Sequence, residues 1–110
     1  DYAEAAKWYR KLAEQGDAKA QSILGYRYYQ GKGVTQDYEK AMVWFKKAAE
    51  QGDVYAQRHL GLLFFNGEGV MIDLKEAARW FKRALSKNRE DIDSLNYLGK
   101  ICSKQPEICN

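Results

Sequence analysis

The sequence is short of residues that break helices and of residues that most often bind metals or move protons. Proline occurs once, at Pro106, so no proline interrupts a helical backbone before it. Histidine occurs once, at His59, and cysteine twice, at Cys102 and Cys109. A four-ligand zinc site would need all three and an outside carboxylate, so no metal is expected and no pattern calls for a cofactor. No apolar run approaches the roughly 18 residues of a membrane-spanning helix. Residues 1–10 also lack the apolar core of a signal peptide, and direct membrane insertion of this segment is not expected. A dominant charge is missing too: 18 basic residues face 15 acidic ones, for a net +3. Without a localised patch, that balance does not point to nucleic acid or to a membrane surface.

What is present is repetition. Trp8 returns as Trp44 and Trp80, Asp1-Tyr2 as Asp37-Tyr38, and Leu24-Gly25 as Leu60-Gly61, all at a spacing of 36 residues. Ala13 to Asp17 recurs as Ala49 to Asp53, and Gly31-Lys32-Gly33-Val34 as Gly67-Glu68-Gly69-Val70. A period of this length marks stacked units that bury their apolar faces against one another. Asp1 opens the chain part-way through a unit, which reads as an excised or processed piece. The units are then 1–36, 37–72 and 73–110, in one domain.

Each unit divides into two helical stretches. Tyr2, Ala5, Trp8, Tyr9, Leu12 and Ala13 share one side at 100° per residue, opposite Lys7, Arg10, Lys11 and Glu14. Asp1, Asp37 and Asp73 stand at N-cap positions, and Asp1 with Glu4 and Asp73 with Glu76 suggest reciprocal capping. Gly16 and Gly52 supply left-handed helix ends, followed at once by the caps Asp17 and Asp53, so the paired helices should run antiparallel. In the second stretch, Ala20, Leu24 and Tyr28 recur as Ala56, Leu60 and Phe64, with Gly25 and Gly61 beside the stripe. A mid-helix glycine costs about 1 kcal/mol relative to alanine, so its recurrence points to close helix approach. Val34 and Val70 should tuck into the core. Helices are expected near 2–15, 18–30, 38–51, 54–66, 74–87 and 91–104.

The third unit departs from this pattern. Asn88 replaces the glycine, Arg89-Glu90-Asp91 replaces the usual cap, and Leu85 to Leu98 spans 13 positions where Ala13 to Leu24 spans 11. A terminal unit is often atypical because one of its faces meets water, so 89–104 reads as a capping helix that stops ahead of Pro106.

The run of Ala56, Leu60, Gly61, Phe64, Gly67, Gly69 and Val70, with Asp37, Ala41, Trp44, Phe45 and Lys47 to Gly52, resembles the Sel1-like repeat. That repeat is a relative of the tetratricopeptide repeat. The likeness is close over residues 1 to about 85 and loose beyond. It implies an all-α fold, an α/α superhelix built as a right-handed solenoid of antiparallel helix pairs. It also implies an adaptor or scaffold for another protein or peptide, often in bacterial envelopes, secretion or host contact, and in some proteins a toxin-neutralising role. The bacterial periplasm or a secreted location follows from the same resemblance, with the cytoplasm left open.

Within that frame the far side of the second helices is the candidate site. Ser22, Tyr26 and Tyr29 lie opposite Leu24, and Arg58, Leu62 and Phe65 opposite Leu60. Stacking of the next unit would hide part of this surface. The alternative is a partner groove using Tyr26, Tyr29, Arg58, Leu62 and Phe65, since aromatics and Arg are enriched in binding hot spots. Arg10, Lys46 and Lys82 form one column of cations, and Lys11, Lys47 and Arg83 a second. These make either a solvated face or a basic ridge for an anionic polymer. Cys102 and Cys109 can close a local disulfide or remain free thiols.

Enzymatic readings find little support. Ser-x-x-Lys, the pattern of a penicillin-binding or β-lactamase-type envelope hydrolase, does not occur. His59 aligns with Ile23 and reads as half-buried in a helix rather than poised as a base. The Gly-x-Gly pairs end helices instead of opening them, unlike a phosphate loop. The expected role is recognition, not catalysis.

Overall fold

The computed structural model describes residues 1–109, whose regular structure is all helix, with no strand among them. Six main helices follow one another: α1 (Tyr2–Glu14), α2 (Ala18–Gln30), α3 (Tyr38–Glu50), α4 (Val54–Asn66), α5 (Leu74–Lys87) and α6 (Ile92–Lys104). Each packs chiefly on its neighbours in sequence, and the stack extends 45 × 25 × 19 Å. This is a helical solenoid, with core running along its length. A short α7 (Pro106–Cys109) follows. It lies past the end expected for the last helix, because proline at a first helical position needs no N–H partner.

Aspartates start the helices. Asp17 and Asp53 accept from the N–H groups of Ala20 and Ala56 at 2.9 and 2.8 Å, and Asp37 and Asp73 from Lys40 and Glu76 at 3.1 and 3.0 Å. Asp91 caps α6 in the same way. The reciprocal half of the expected capping pattern does not form. The Asp73 N–H donates instead to the Phe64 carbonyl at 3.0 Å, and the Glu76 carboxylate pairs with Arg79. Asp1 accepts from Ala3 rather than Glu4. Gly31 and Gly67 close α2 and α4 in the left-handed region, at φ +74° and +71°.

The mid-helix glycines do permit close approach. A Cβ on Gly25 would stand 2.9 Å from the Phe45 ring, and one on Gly61 2.9 Å from the Phe81 ring. α3 and α5 therefore lay an aromatic face on bare backbone of the preceding helix. Phe45 and Phe81 are fully buried, with Leu24, Leu60 and Leu63.

Buried glutamines stitch the turns. Gln21 Nε2 donates to the Ala13 carbonyl and Gln57 Nε2 to that of Ala49, both at 3.1 Å. Each adds a second donor to a helix-end carbonyl that the N–H of Gly16 or Gly52 already reaches at 3.0 Å. Gln51 then donates to Gln21 Oε1 at 2.8 Å, joining the first unit to the second.

The three tryptophans share a register but not an environment. Trp80 is 3% exposed and joins the main core cluster, Trp44 packs partly buried against that cluster, and Trp8 is 64% exposed. Tyr2 and Leu12, expected on the apolar face of α1, are exposed as well. The reason is positional: α3 and α5 each have an earlier helix pair to lean on, and α1 has none in this chain. Val34 and Val70 are both half-buried, and Val34 packs against the main core cluster.

Candidate protein-binding groove

Helix geometry places Lys19, Ser22, Ile23, Tyr26, Arg27 and Gln30 on one face of α2, since residues three, four, seven, eight and eleven apart recur on one side. With Lys32, Asp53 and Tyr55 they line an open hollow of about 530 Å³. Its wall is mostly apolar, from Ile23 and the rings of Tyr26 and Tyr55, the latter 42% exposed. Ser22 is buried in this wall, and its Oγ has no hydrogen-bond partner.

An aromatic strip continues from the hollow along the groove. Tyr26 stacks on Tyr29 with centroids 6.3 Å apart and planes within 10°, and meets Tyr55 edge-on at 6.0 Å. His59 closes the group, 5.2 Å from Tyr26 and 4.4 Å from Tyr55. Such offset and edge contacts suit the ring quadrupole and hold the rings in fixed orientations. Tyr29 donates its hydroxyl to Glu68 at 3.1 Å, and burial together with that carboxylate pushes its pKa up to about 12.

The structure places the five residues singled out from sequence in different settings. Tyr26 lines the hollow, and Tyr29 lies half-buried beside it. Arg58 sits over the Tyr55 ring at 5.0 Å and donates to buried Asp91 at 3.0 Å, so it ties α4 to the cap of α6. Leu62 and Phe65 pack against the second core cluster around Ala77, Phe81 and Ile101, with Phe65 edge-on to Tyr97 at 5.1 Å. A smaller hollow of about 280 Å³, lined by Tyr55, Arg58, His59, Leu62, Asp93 and Tyr97, links these to the first. Lys19, Ile23, Arg27, Gln30, Tyr55 and His59 are not among the groove residues that the sequence pattern picks out, although it reads His59 as half-buried in a helix. The signal for the first four was their shared helix face, which the alternation around Leu24 obscured.

The family's repeat model matches residues 1–17, 18–53 and 54–88. The chain belongs to the Sel1 repeat family. Two solved structures agree with this placement. One is c5321, a protective antigen present in uropathogenic Escherichia coli strains and displaying an SLR fold. It is 38% identical with a TM-score of 0.90, over 94% of this chain and 22% of that one. The other is a Sel1 repeat protein from Oxalobacter formigenes, 36% identical with a TM-score of 0.84, over 94% of this chain and 42% of that one. The chain thus spans about a fifth of the first and about two fifths of the second. Among curated proteins nothing matches. The phase of the Sel1 unit, 18–53, joins α2 to α3, the pair that Gly25 and Phe45 bring together.

Sel1 repeats mediate protein interactions and are typically scaffolds without catalytic function. Two features of the Sel1 units bear on the other readings. The second cation column lies on tryptophan: Lys11 over Trp8 at 5.2 Å, Lys47 over Trp44 at 4.8 Å and Arg83 over Trp80 at 4.8 Å. In the first column Arg10 donates to the Tyr28 hydroxyl and Lys82 to the Ile108 carbonyl. Those charges have intramolecular work on the outer helices. His59, for its part, lies flat on Phe45. Burial, and then the Arg58 charge, lower its pKa to about 4, which keeps the ring neutral near pH 7.

Cys102 and Cys109 are bonded, with Cα atoms 5.6 Å apart, and hold α7 against α6. No group of three metal-ligating side chains gathers among the described residues, and no helix there is long and apolar enough to cross a membrane.

Proposed function

We propose that this Sel1 segment is a recognition module whose groove, along α2 and α4 and onto α6, receives a segment of another protein. One observation carries the reading. Tyr26, Tyr29, Tyr55 and His59 form a continuous aromatic surface that is packed within itself yet open to solvent at the hollow. Rings already fixed by stacking lose little conformational entropy when a guest arrives, so more of the contact energy appears as affinity. Arg58 and Leu62 extend the surface toward α6, while Phe65 supports it from below.

A location in the bacterial envelope or outside the cell fits the same reading. The Cys102–Cys109 bridge supports it, because disulfides persist in oxidising compartments.

A photo-crosslinking residue at Tyr55 tests the groove against one at Val43, which is comparably exposed on α3. In cells of the native source, the Tyr55 probe should capture a discrete protein that the Val43 probe does not, and Tyr26→Ala should abolish the capture. Equal capture by both probes, or capture indifferent to Tyr26→Ala, would remove the groove from the account.

A further inference from the structure

We infer that the hollow on α2 takes an acidic stretch of extended peptide, with two carboxylates four residues apart flanking an apolar side chain. This rests on the reading of the groove as a protein-binding surface. The hollow carries Lys19 at one end and Arg27 with Lys32 at the other, with Ile23, Tyr26 and Tyr55 between. Arg27 and Lys32 both lie over the Tyr2 ring, at 4.7 and 5.4 Å from its centroid, so these two cations are neighbours. Among the described residues none of the three cations has a carboxylate within ion-pair distance, in contrast to Arg58 and Arg79. The one carboxylate in the lining, Asp53, accepts from the Ala56 N–H at the start of α4. A net positive, partly apolar hollow therefore stands open.

The spacing sets the guest. Lys19 and Arg27 are eight residues apart on one helix, about 12 Å along its axis at roughly 1.5 Å per residue. An extended chain covers that distance in about four residues at roughly 3.3 Å each, and its side chains at i, i+2 and i+4 all point to one face. Carboxylates at i and i+4 meet the two cationic ends. An apolar side chain at i+2 meets Ile23, Tyr26 and Tyr55. Beneath them Ser22 Oγ holds a proton for which the protein supplies no acceptor.

The test is fluorescence anisotropy with three fluorescein-labelled nonapeptides: glutamates four apart around a central leucine, the same peptide with glutamines, and the glutamate peptide with serine for leucine. The glutamate–leucine peptide should bind at least about 10-fold tighter than either control in 50 mM salt. Its advantage over the glutamine peptide should largely vanish in 500 mM salt, as screening predicts. Lys19→Gln should weaken it about threefold or more with the melting temperature unchanged, because Lys19 is exposed and, among the described residues, makes no side-chain hydrogen bond or ion pair. Equal binding of the glutamine peptide, abolished by Tyr26→Ala, would overturn the acidic guest and leave the groove standing. Failure of all three peptides would also overturn it, and the crosslinking result then decides the groove separately. Tighter binding of a ten-nucleotide single strand than of the glutamate peptide would replace the guest with nucleic acid.

Discussion

Phe45 lies flat on His59, with ring centroids 5.1 Å apart and planes within 7°. Phe81 lies on Tyr97 in the same way, at 5.4 Å and 7°. His59 and Tyr97 each directly precede the Leu-Gly pair's leucine in their helices, so the imidazole occupies a place that the next unit gives to a phenol. It acts there as an aromatic plate, one that burial and the neighbouring Arg58 charge require to stay uncharged near pH 7.

That requirement makes stability depend on pH. The folded His59 takes a proton only near pH 4, whereas the unfolded ring takes one near its ordinary 6.5. As pH falls below 6.5 the unfolded chain binds a proton that the folded one refuses, so stability is full above 6.5 and declines toward 4. At about 1.4 kcal/mol per pK unit the whole loss is roughly 3 kcal/mol. Asp91 adds a second decline at lower pH. Burial would raise its carboxyl, but hydrogen bonds from Arg58 and Ser94 and the Arg58 charge outweigh that and hold it below 3.8. Its contribution is present above that value and is lost as pH falls through the folded one. Urea unfolding at pH 7 and pH 4.5 should show a loss of about 2 to 3 kcal/mol in the wild type. His59→Tyr should flatten that interval and keep the decline below pH 4. A wild-type curve already flat from 7 to 4.5 would contradict the account.

The glycines of the Leu-Gly pairs separate by neighbour. Gly61→Ala puts a methyl 2.9 Å from the Phe81 ring, and Gly25→Ala does the same at Phe45, so each should destabilise by about 1 to 3 kcal/mol through overpacking. Gly99 holds the same register in α6, yet a Cβ there would meet nothing within 4 Å. Gly99→Ala should therefore stabilise by about 0.5 to 1 kcal/mol, the ordinary gain of alanine over glycine inside a helix. Thermal melts of the three variants check this, and a destabilising Gly99→Ala would show that α6 is crowded where the structure leaves it open.

The helices were legible because the signals that make them are local. Asp17 and Asp53, the amphipathic spacing of α1, α3 and α5, and the close-approach glycines each act within a few residues of where they stand. The groove was only half legible. Tyr26 could be placed by its distance from Leu24, but the pairing of Arg58 with Asp91 spans 33 residues and crosses the two-residue lengthening of the third unit. That lengthening breaks the register by which equivalent positions were compared. Phe65 reads as solvent-facing on α4 alone, and only the angle between α4 and α6 turns it onto Tyr97. Trp8 fails in the opposite sense. Its sequence environment matches that of Trp80, while its burial depends on a neighbouring helix pair.

A broken repeat of the glutamine stitch yields a third expectation. Gln51 satisfies Gln21 Oε1, but the residue at the next equivalent place is Lys87, which reaches the Gly52 carbonyl instead at 3.1 Å. Gln57 Oε1 is left buried with no partner. Lys87→Gln should restore the bond and raise stability by about 0.5 to 1.5 kcal/mol, the usual net value of an intramolecular hydrogen bond. The gain should vanish in a Gln57→Leu background, where no acceptor remains. A gain that survives in that background would assign it to helix propensity rather than to the stitch.

The Cys102–Cys109 bridge should act on the end of the chain more than on the whole. It closes a short loop, so the chain-entropy estimate is only about 2 to 3 kcal/mol, and α7 is a four-residue helix with no buried residue of its own. What the bridge holds in place is Ile108, which packs half-buried against the second core cluster of Ala77, Ala78, Phe81 and Ile101. Val34 makes the equivalent contact in the first unit without any bridge, because Gly31 turns the chain back there. Gln105-Pro106 offers no left-handed turn, so the covalent link takes over the task of returning Ile108 to the core. Reduction, or Cys102→Ser with Cys109→Ser, should release amide exchange protection across 105–109 and loosen the C-terminal turn of α6, while α2 to α4 keep theirs. Undiminished protection at 105–109 after reduction would mean that the packing of Ile108 alone holds the tail. Loss of protection throughout α4 would mean that the tail supports the whole second core cluster.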